Sequence, residues 1–372
     1  HTHATTVHFL CVVPSPYQRD LFEAMHEASL FSFHVWYLEA SSPDSPWPEA
    51  ALCEYETILH ARWIAWGSSR FHFGRIPKQL LQCDCLVLNG IMNTMAQRVF
   101  RMRKRPPVVF WGERIGHQAR GVKTFLHQRL TAPLQQVQAI AGIGRLATED
   151  YRKRFPSVPV IENIPYYTNI APFMQAAANK NTVRAHDTPS EEPTILFCGQ
   201  MIQRKGIDVL LHAFELLIHE GIRARLLLVG REAELPAWLE SISTEAREHI
   251  EYAGFQAPQD LPRYFAQADL FTLPSRFDGW GVVINQALAA GLPIIATDAV
   301  GAAHDCIEEG HNGFRVQAGS VDALTNSLRA LCTDPQKRCA FGRASREKAE
   351  QWTPQAGAHK WLSLVQVLQQ RV

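Results

Sequence analysis

The run Phe197-Cys198-Gly199-Gln200-Met201-Ile202-Gln203-Arg204-Lys205-Gly206-Ile207-Asp208 reads as a strand end, a glycine turn, a basic pair and a helix start. That order suits an anion. Gly199 lets backbone approach a ligand, the free N–H groups of a helix start favour negative charge, and Arg204 with Lys205 adds full charges. A helix terminus contributes only ~0.3–1 kcal/mol at an exposed site, so the basic pair must carry most of the charge of a diphosphate-like group. A basic pair that merely solvates a helix end is the bland alternative; the flanking strand and glycines weigh against it. A second run, Leu273-Pro274-Ser275-Arg276-Phe277-Asp278-Gly279-Trp280-Gly281-Val282, ends a strand in a two-glycine loop and opens a helix containing Gln286. Asp278 and Gln286 lie just over two helical turns apart, so both can face one ligand along the helix start. Gly279 and Gly281 leave backbone N–H groups open to ligand oxygens. An ordinary loop with Asp278 as helix cap is the alternative here.

Short β-branched runs separated by helical stretches must position these residues. In the first half they are Val7 to Val13, Phe33 to Leu38, Cys85 to Leu88, Val108 to Trp111 and Ala139 to Ile143. The alternation stops in a polar, small-residue stretch and restarts with Thr194 to Cys198, Arg225 to Val229, Ile250 to Ala253, Leu270 to Leu273, Pro293 to Ala296 and Phe314 to Val316. This is the signature of two parallel sheets covered by helices. The expected fold is α/β, with two doubly wound, Rossmann-like domains facing across a cleft. Residues 1–170 form the first domain, 171–192 a linker and 193–353 the second, with the terminal helix 354–372 packing back on the first. Runs from Val321 to Cys332, Pro335 to Glu350 and Pro354 to Gln370 read as three consecutive helices. Ligands in such sheets bind beyond the carboxyl ends of the strands, so loops after strands hold the candidate residues.

Together with Ala296-Thr297-Asp298, Gly301, Asp305-Cys306-Ile307 and Gly310-His311-Asn312-Gly313-Phe314, these runs resemble the retaining glycosyltransferase family 4, over roughly Pro193 to Pro335. The resemblance implies the B-type (GT-B) fold and an enzyme with a nucleotide sugar, such as a UDP-sugar, on the carboxy-terminal domain and an acceptor on the amino-terminal one. It implies no obligatory metal and no cofactor. Lys205 matches the lysine that pairs with the donor diphosphate. Gln200 stands where an arginine is usual, with Arg204 in a position to compensate. Asp278 and Gln286 occupy the ends of the Glu-x7-Glu pattern, near sugar and ribose hydroxyls respectively. Gly230 and Arg231, and Gly254 with Phe255, match donor-side loops, and Gly279, Trp280, Gly281 and Val282 complete the donor set. Front-face displacement with retention is the implied route.

The amino-terminal half departs from the pattern. Pro14-Ser15-Pro16-Tyr17-Gln18-Arg19 lacks the paired glycines common at that loop, so Tyr17 and Arg19 are expected on the acceptor side. In Trp111-Gly112-Glu113-Arg114-Ile115-Gly116-His117, Glu113 is the candidate for a catalytic contact to the donor sugar. Arg114 and His117 join the acceptor side, and a solvated charge pair remains the alternative for Glu113 and Arg114. Asn89-Gly90 and Glu162-Asn163 are further loop candidates.

Composition bounds the alternatives. Among 372 residues, 37 Lys plus Arg balance 36 Asp plus Glu, which gives no whole-chain footprint for nucleic acid. Cys83 and Cys85 are too close for a zinc pair, and the eight cysteines read as buried thiols. No apolar stretch approaches the roughly 18 to 20 residues that span a bilayer, and Thr2 to Val7 shows no signal-peptide pattern. The expected location is the cytoplasm, with peripheral contact at the inner membrane face an option the family offers. The expected partners are the nucleotide-sugar donor and a carbohydrate, lipid-linked or small-molecule acceptor, in surface polysaccharide, glycolipid or glycoconjugate synthesis. A nucleotide-sugar 2-epimerase, a phosphorylase or a non-catalytic nucleotide-binding paralogue of the same architecture are the competing readings.

Overall fold

The computed structural model describes residues 5–41, 51–66, 69–90, 94–115, 121–183 and 191–371. The chain divides into two compact units, His1–Thr168 with Pro354–Val372, and Asn169–Thr353.

The first unit is built on β1 (Thr6–Cys11), β2 (Ser32–Tyr37), β3 (Glu56–Ile58), a hairpin of β4 (Arg62–Trp66) and β5 (Ser69–Phe73), β6 (Cys85–Asn89), β7 (Val108–Gly112), β8 (Ala139–Gly142) and β9 (Ile161–Asn163). Seven of these form a parallel sheet in the order β3-β2-β1-β6-β7-β8-β9; β4 and β5 pair with each other, antiparallel. Strands such as Val108–Gly112 are buried on both faces, which is why they read as unbroken apolar runs. The terminal helix Pro354–Gln369 belongs to this unit and inserts Trp361 between Phe9, at 5.1 Å, and Trp111, at 5.3 Å. Those edge-to-face contacts suit aromatic quadrupoles and close the core.

The second unit carries β10 (Thr194–Cys198), β11 (Arg225–Val229), β12 (Ile250–Tyr252), β13 (Leu270–Leu273), β14 (Ile294–Thr297) and β15 (Gly313–Val316), in the order β12-β11-β10-β13-β14-β15. All its strand pairs are parallel. Order reverses beside β10, so the loops after β10 and β13 flank the switch point where open α/β sheets place ligands. Helices Val321–Cys332 and Pro335–Ala349 start where the periodicity places them, capped by the Ser320 and Asp334 side chains, which accept from the N–H groups of Ala323 and Lys337.

The linker expected at 171–192 is corrected in its first part. Ala171–Val183 is a helix, and Phe173 packs edge-to-face on Phe265 at 5.1 Å within the second unit. Its alanine-rich composition favours helix, and the buried Phe173 and Ala177 dock it. Residues 184–190 lie outside the described residues.

Candidate functional site

The segments after β10 and β13 are clasped together by six residue pairs. Gly206, the residue before helix Ile207–His219, has φ +75°, and a Cβ there would stand 2.0 Å from the carbonyl oxygen of Pro274. Only glycine tolerates both the backbone angle and the approach. The Arg276 N–H donates to the Arg204 carbonyl at 2.8 Å, and the Arg204 guanidinium donates to the Phe277 carbonyl at 3.1 Å. The Arg276 guanidinium makes two 2.6 Å bonds to the Asp208 carboxylate and one of 2.6 Å to the Gln203 carbonyl. Finally, Lys205 Nζ donates to Asp278 Oδ2, within a pair whose side chains are 17% and 14% exposed.

Three residues singled out from sequence, Arg204, Lys205 and Asp278, thus meet in one place. One bond occupies one of the five donors of Arg204, and the residue is exposed, so its charge faces solvent beside the half-buried Lys205–Asp278 pair. Arg276 and Asp208 were missed by sequence reasoning. The Asp208 bonds raise the Arg276 guanidinium above its ordinary value, so it stays charged throughout.

The stretch after Asp278 is pinned from the β14 side. The N–H groups of Gly301 and Ala302 donate to the carbonyls of Asp278 at 3.0 Å and Trp280 at 2.8 Å. Trp280 requires a correction as a donor contact. Its ring is 1% exposed, donates to Asn285 Oδ1 at 3.0 Å and lies 5.6 Å from Trp352, so the side chain is core and only its backbone can face a ligand. Gly281 adopts φ +91°, and Val282 precedes helix Val283–Ala289. Gln286 is half-buried, and its Oε1 is enclosed without a partner among the described residues. An enclosed amide oxygen with nothing to accept is costly, and a ligand hydroxyl would meet that need.

The loops after β11 and β12 close the row. Gly230, at φ +142°, would bring a Cβ to 1.9 Å from the Gly199 carbonyl oxygen, so the β10 and β11 loops touch backbone to backbone. The Gly199 N–H donates to the Val229 carbonyl and the Gly230 N–H to the Gly254 carbonyl, each at 2.9 Å. The Arg231 guanidinium stands 5.8 Å from the centre of the exposed Phe255 ring, a cation–π pair on the rim. Gln200 is exposed beside them. The Cys198 thiol, next to this row, is pushed up to about 12 by burial against the weaker opposing pull of Lys205, which removes it as a nucleophile.

In the first unit the loop after β1 is joined to the carboxyl ends of β6 and β7 by a polar chain. Ser15 Oγ donates to Gln18 Oε1, Gln18 Nε2 to Asn89 Oδ1, and Asn89 Nδ2 to the Trp111 carbonyl, at 2.9, 2.9 and 3.1 Å. Tyr17 stacks at a tilt on Tyr166, ring centres 4.8 Å apart. Arg19 is corrected as an acceptor contact. Its guanidinium is committed to Glu56, at 2.9 and 2.7 Å, and to the Ala51 carbonyl at 2.7 Å, while Tyr37 and the Cys53 N–H also donate to Glu56, each at 2.8 Å. Burial pushes the Glu56 carboxyl up, but these bonds, led by that of Arg19, hold it below its ordinary value.

Glu113 and Arg114 are half-buried just past β7. The Tyr151 hydroxyl donates to the Glu113 backbone carbonyl, and Arg114 Nε is enclosed without a partner among the described residues. His117 lies outside the described residues. A hollow of about 510 Å³ lined by Met25, His26, Phe33 and Tyr55 sits at the amino end of β2, the opposite end from these loops.

Residues 192–334 match the family described as glycosyl transferases group 1. A GDP-mannose-dependent monoacylated alpha-(1-6)-phosphatidylinositol monomannoside mannosyltransferase of Corynebacterium glutamicum is 27% identical over 228 residues, 59% of each chain. A GDP-mannose-dependent alpha-(1-6)-phosphatidylinositol monomannoside mannosyltransferase of Mycobacterium tuberculosis is 28% identical over 212 residues, 53% of this chain and 54% of that one. The aligned region thus spans little more than half the length of these relatives. Among solved structures, sucrose-phosphate synthase from Thermosynechococcus elongatus superposes with a TM-score of 0.74 at 19% identity, over 99% of this chain and 100% of that one. WaaG, a glycosyltransferase involved in lipopolysaccharide biosynthesis, does so at 0.67 and 17%, over 96% and 99%. Residues 192–334, which carry all six strands of the second unit, are thus similar to the group 1 glycosyl transferases, and the two parallel Rossmann-like units share the fold of these solved structures.

Proposed function

We propose that the chain moves a sugar from a nucleoside diphosphate sugar to an acceptor hydroxyl with retention of configuration, in glycolipid or surface polysaccharide synthesis. The observation that carries this reading is the clasp that sets Arg204 and the Lys205–Asp278 pair beside the glycine row of Gly199, Gly230 and Gly254. Two cations and close backbone suit a diphosphate, and a carboxylate next to them suits a sugar hydroxyl.

In this scheme the bond from the anomeric carbon to the diphosphate oxygen breaks as the acceptor oxygen bonds to that carbon on the same face. The acceptor proton passes to the departing diphosphate oxygen. Lys205 and Arg204 stabilise the negative charge that develops there, so the protein contributes position and field rather than a covalent nucleophile. Gln286 Oε1 accepts from a ribose hydroxyl, and Phe255 with Arg231 offers the base a rim. No metal is assigned a role. The two relatives quoted are named mannosyltransferases using GDP-mannose, which makes that donor the first to test and favours transfer over epimerisation or phosphorolysis.

The test is release of nucleotide from GDP-mannose and from UDP-hexoses, with and without lipid-linked acceptors, by the full chain and by Lys205→Ala. Acceptor-dependent release that falls at least a hundredfold in a folded Lys205→Ala protein is expected. Near-normal turnover in that variant sinks the assignment.

A further inference from the structure

Near the strand ends of the first unit lies a buried titratable pair that the transfer scheme leaves unused. Glu39 follows β2 and His72 lies on β5; His72 Nε2 is bonded to Glu39 Oε1, in a pair whose side chains are 7% and 4% exposed. An ionised carboxylate only accepts, so Nε2 carries the proton, and in the neutral imidazole that leaves Nδ1 as an acceptor. Nδ1 is enclosed without a partner among the described residues. The segments around the pair all follow strands. The Glu39 N–H donates to the Val12 carbonyl after β1, at 2.9 Å, and the Ala61 N–H to the Leu38 carbonyl after β2, at 2.8 Å. Thr94, the first residue of helix Thr94–Arg101 after β6, donates its hydroxyl to the His72 carbonyl. Trp63 is paired with His72 across β4 and β5, so the two side chains share one face, and Trp63 is 39% exposed.

We infer that Trp63 and His72 form a subsite for a pyranose ring of the acceptor, with the C–H face of the sugar on the indole and one sugar hydroxyl donating to His72 Nδ1. The weakly positive C–H groups meet the negative face of the indole, and the enclosed nitrogen, costly while unpaired, gains a donor. A broad aromatic face with one fixed polar atom is the usual make-up of a small-molecule site, and the ends of these strands are where open α/β sheets place one. Glu39 acts as a positioning residue, because its bond to Nε2 fixes the tautomer that leaves Nδ1 free to accept. The exposed Trp63 side chain changes rotamer rapidly, which opens the way to that nitrogen. An acyl chain has no hydroxyl to offer Nδ1, and a phosphate would meet a lone pair backed by a carboxylate. The role as acceptor subsite rests on the transfer reading; the binding of a sugar ring does not.

The test is saturation-transfer NMR of the full chain with the methyl α-pyranosides of mannose, glucose and galactose, and with glycerol as a polyol without a ring, in the presence and absence of GDP and UDP. At least one pyranoside is expected to take saturation on its ring protons and glycerol none, and neither nucleotide is expected to displace the sugar. The nitrogen signal of His72 Nδ1, identified by its absence from His72→Gln, is expected to shift when that sugar is added, which a merely structural imidazole would not show. Trp63→Ala is expected to weaken the sugar about tenfold without lowering the melting temperature, and Trp63→Phe to retain most of the affinity. No binding of any pyranoside, equal saturation of glycerol, displacement by a nucleotide, or binding that Trp63→Ala leaves intact overturns the inference. Failure of the transfer reading shows separately, as a chain that binds the sugar and no nucleotide.

Discussion

Replacing Arg276 with methionine keeps much of the side-chain volume and removes both bonds to Asp208 as well as the bond to the Gln203 carbonyl. Each bond to a charged group is worth roughly 1.5–3 kcal/mol in a protected site. Arg276 is 35% exposed and Asp208 10%, so solvent screens the pair and the net loss falls to about 1–2 kcal/mol. For a unit the size of Asn169–Thr353 that lowers Tm by about 2–8 °C. The functional loss is expected to be larger, because the same guanidinium fixes the turn that carries Arg204 and Lys205. Nucleotide affinity, read by calorimetry with GDP or UDP, should fall on the order of tenfold or more. Adding Asp208→Leu removes the stranded carboxylate and should restore most of the stability without restoring affinity. An Arg276→Met protein that matches the parent in melting and in affinity would refute the clasp.

Three other outcomes follow from the same contacts. Gly230→Ala, whose new Cβ would strike the Gly199 carbonyl, should displace the donor row, cost about 2–4 kcal/mol of stability by thermal melting and abolish nucleotide binding. Arg19→Met strands the enclosed Glu56 carboxylate and should cost about 2–4 kcal/mol, while nucleotide affinity measured below the new Tm stays within about twofold. His8 and His34 are cross-strand partners on β1 and β2, and burial lowers both from the ordinary histidine value, with His8 adding to the effect at His34. A depressed folded value means the stabilisation is fully present above about pH 6.5 and is lost as pH falls through the folded values. Melting should therefore drop between pH 7.5 and 5.5, and His8→Asn, which keeps a donor for the Leu80 carbonyl, should flatten that slope.

The second unit was the more legible half. Its inner strands β10, β11, β13 and β14 are buried along almost their whole length and read as continuous apolar runs, and its glycines stand at strand ends where backbone meets backbone. What escaped was long-range pairing. Arg19 reads as a loop cation until Glu56 folds beside it, and Arg276 as an ordinary loop residue until Asp208 does. Trp280 was read as a ligand contact with the rest of the run from Gly279 to Val282; its hydrophobic area instead takes its ring into the core. The β4–β5 pair was missed although Arg62-Trp63-Ile64-Ala65-Trp66 and Ser69-Arg70-Phe71-His72-Phe73 stand close together in sequence, because the aromatic residues broke the clean apolar-polar alternation. The short β3 and β9 each hold a single apolar residue, Ile58 and Ile161, too little pattern to be seen.

The central claim is that the second unit holds a nucleoside diphosphate through Lys205 and its clasped loops. Calorimetric titration of the full chain with GDP, UDP and the matching monophosphates, repeated on Lys205→Ala, tests it most directly. One diphosphate should bind at least tenfold more tightly than its monophosphate, and that preference should vanish in the variant. Absence of diphosphate binding by the parent, or a preference that survives Lys205→Ala, would contradict the account.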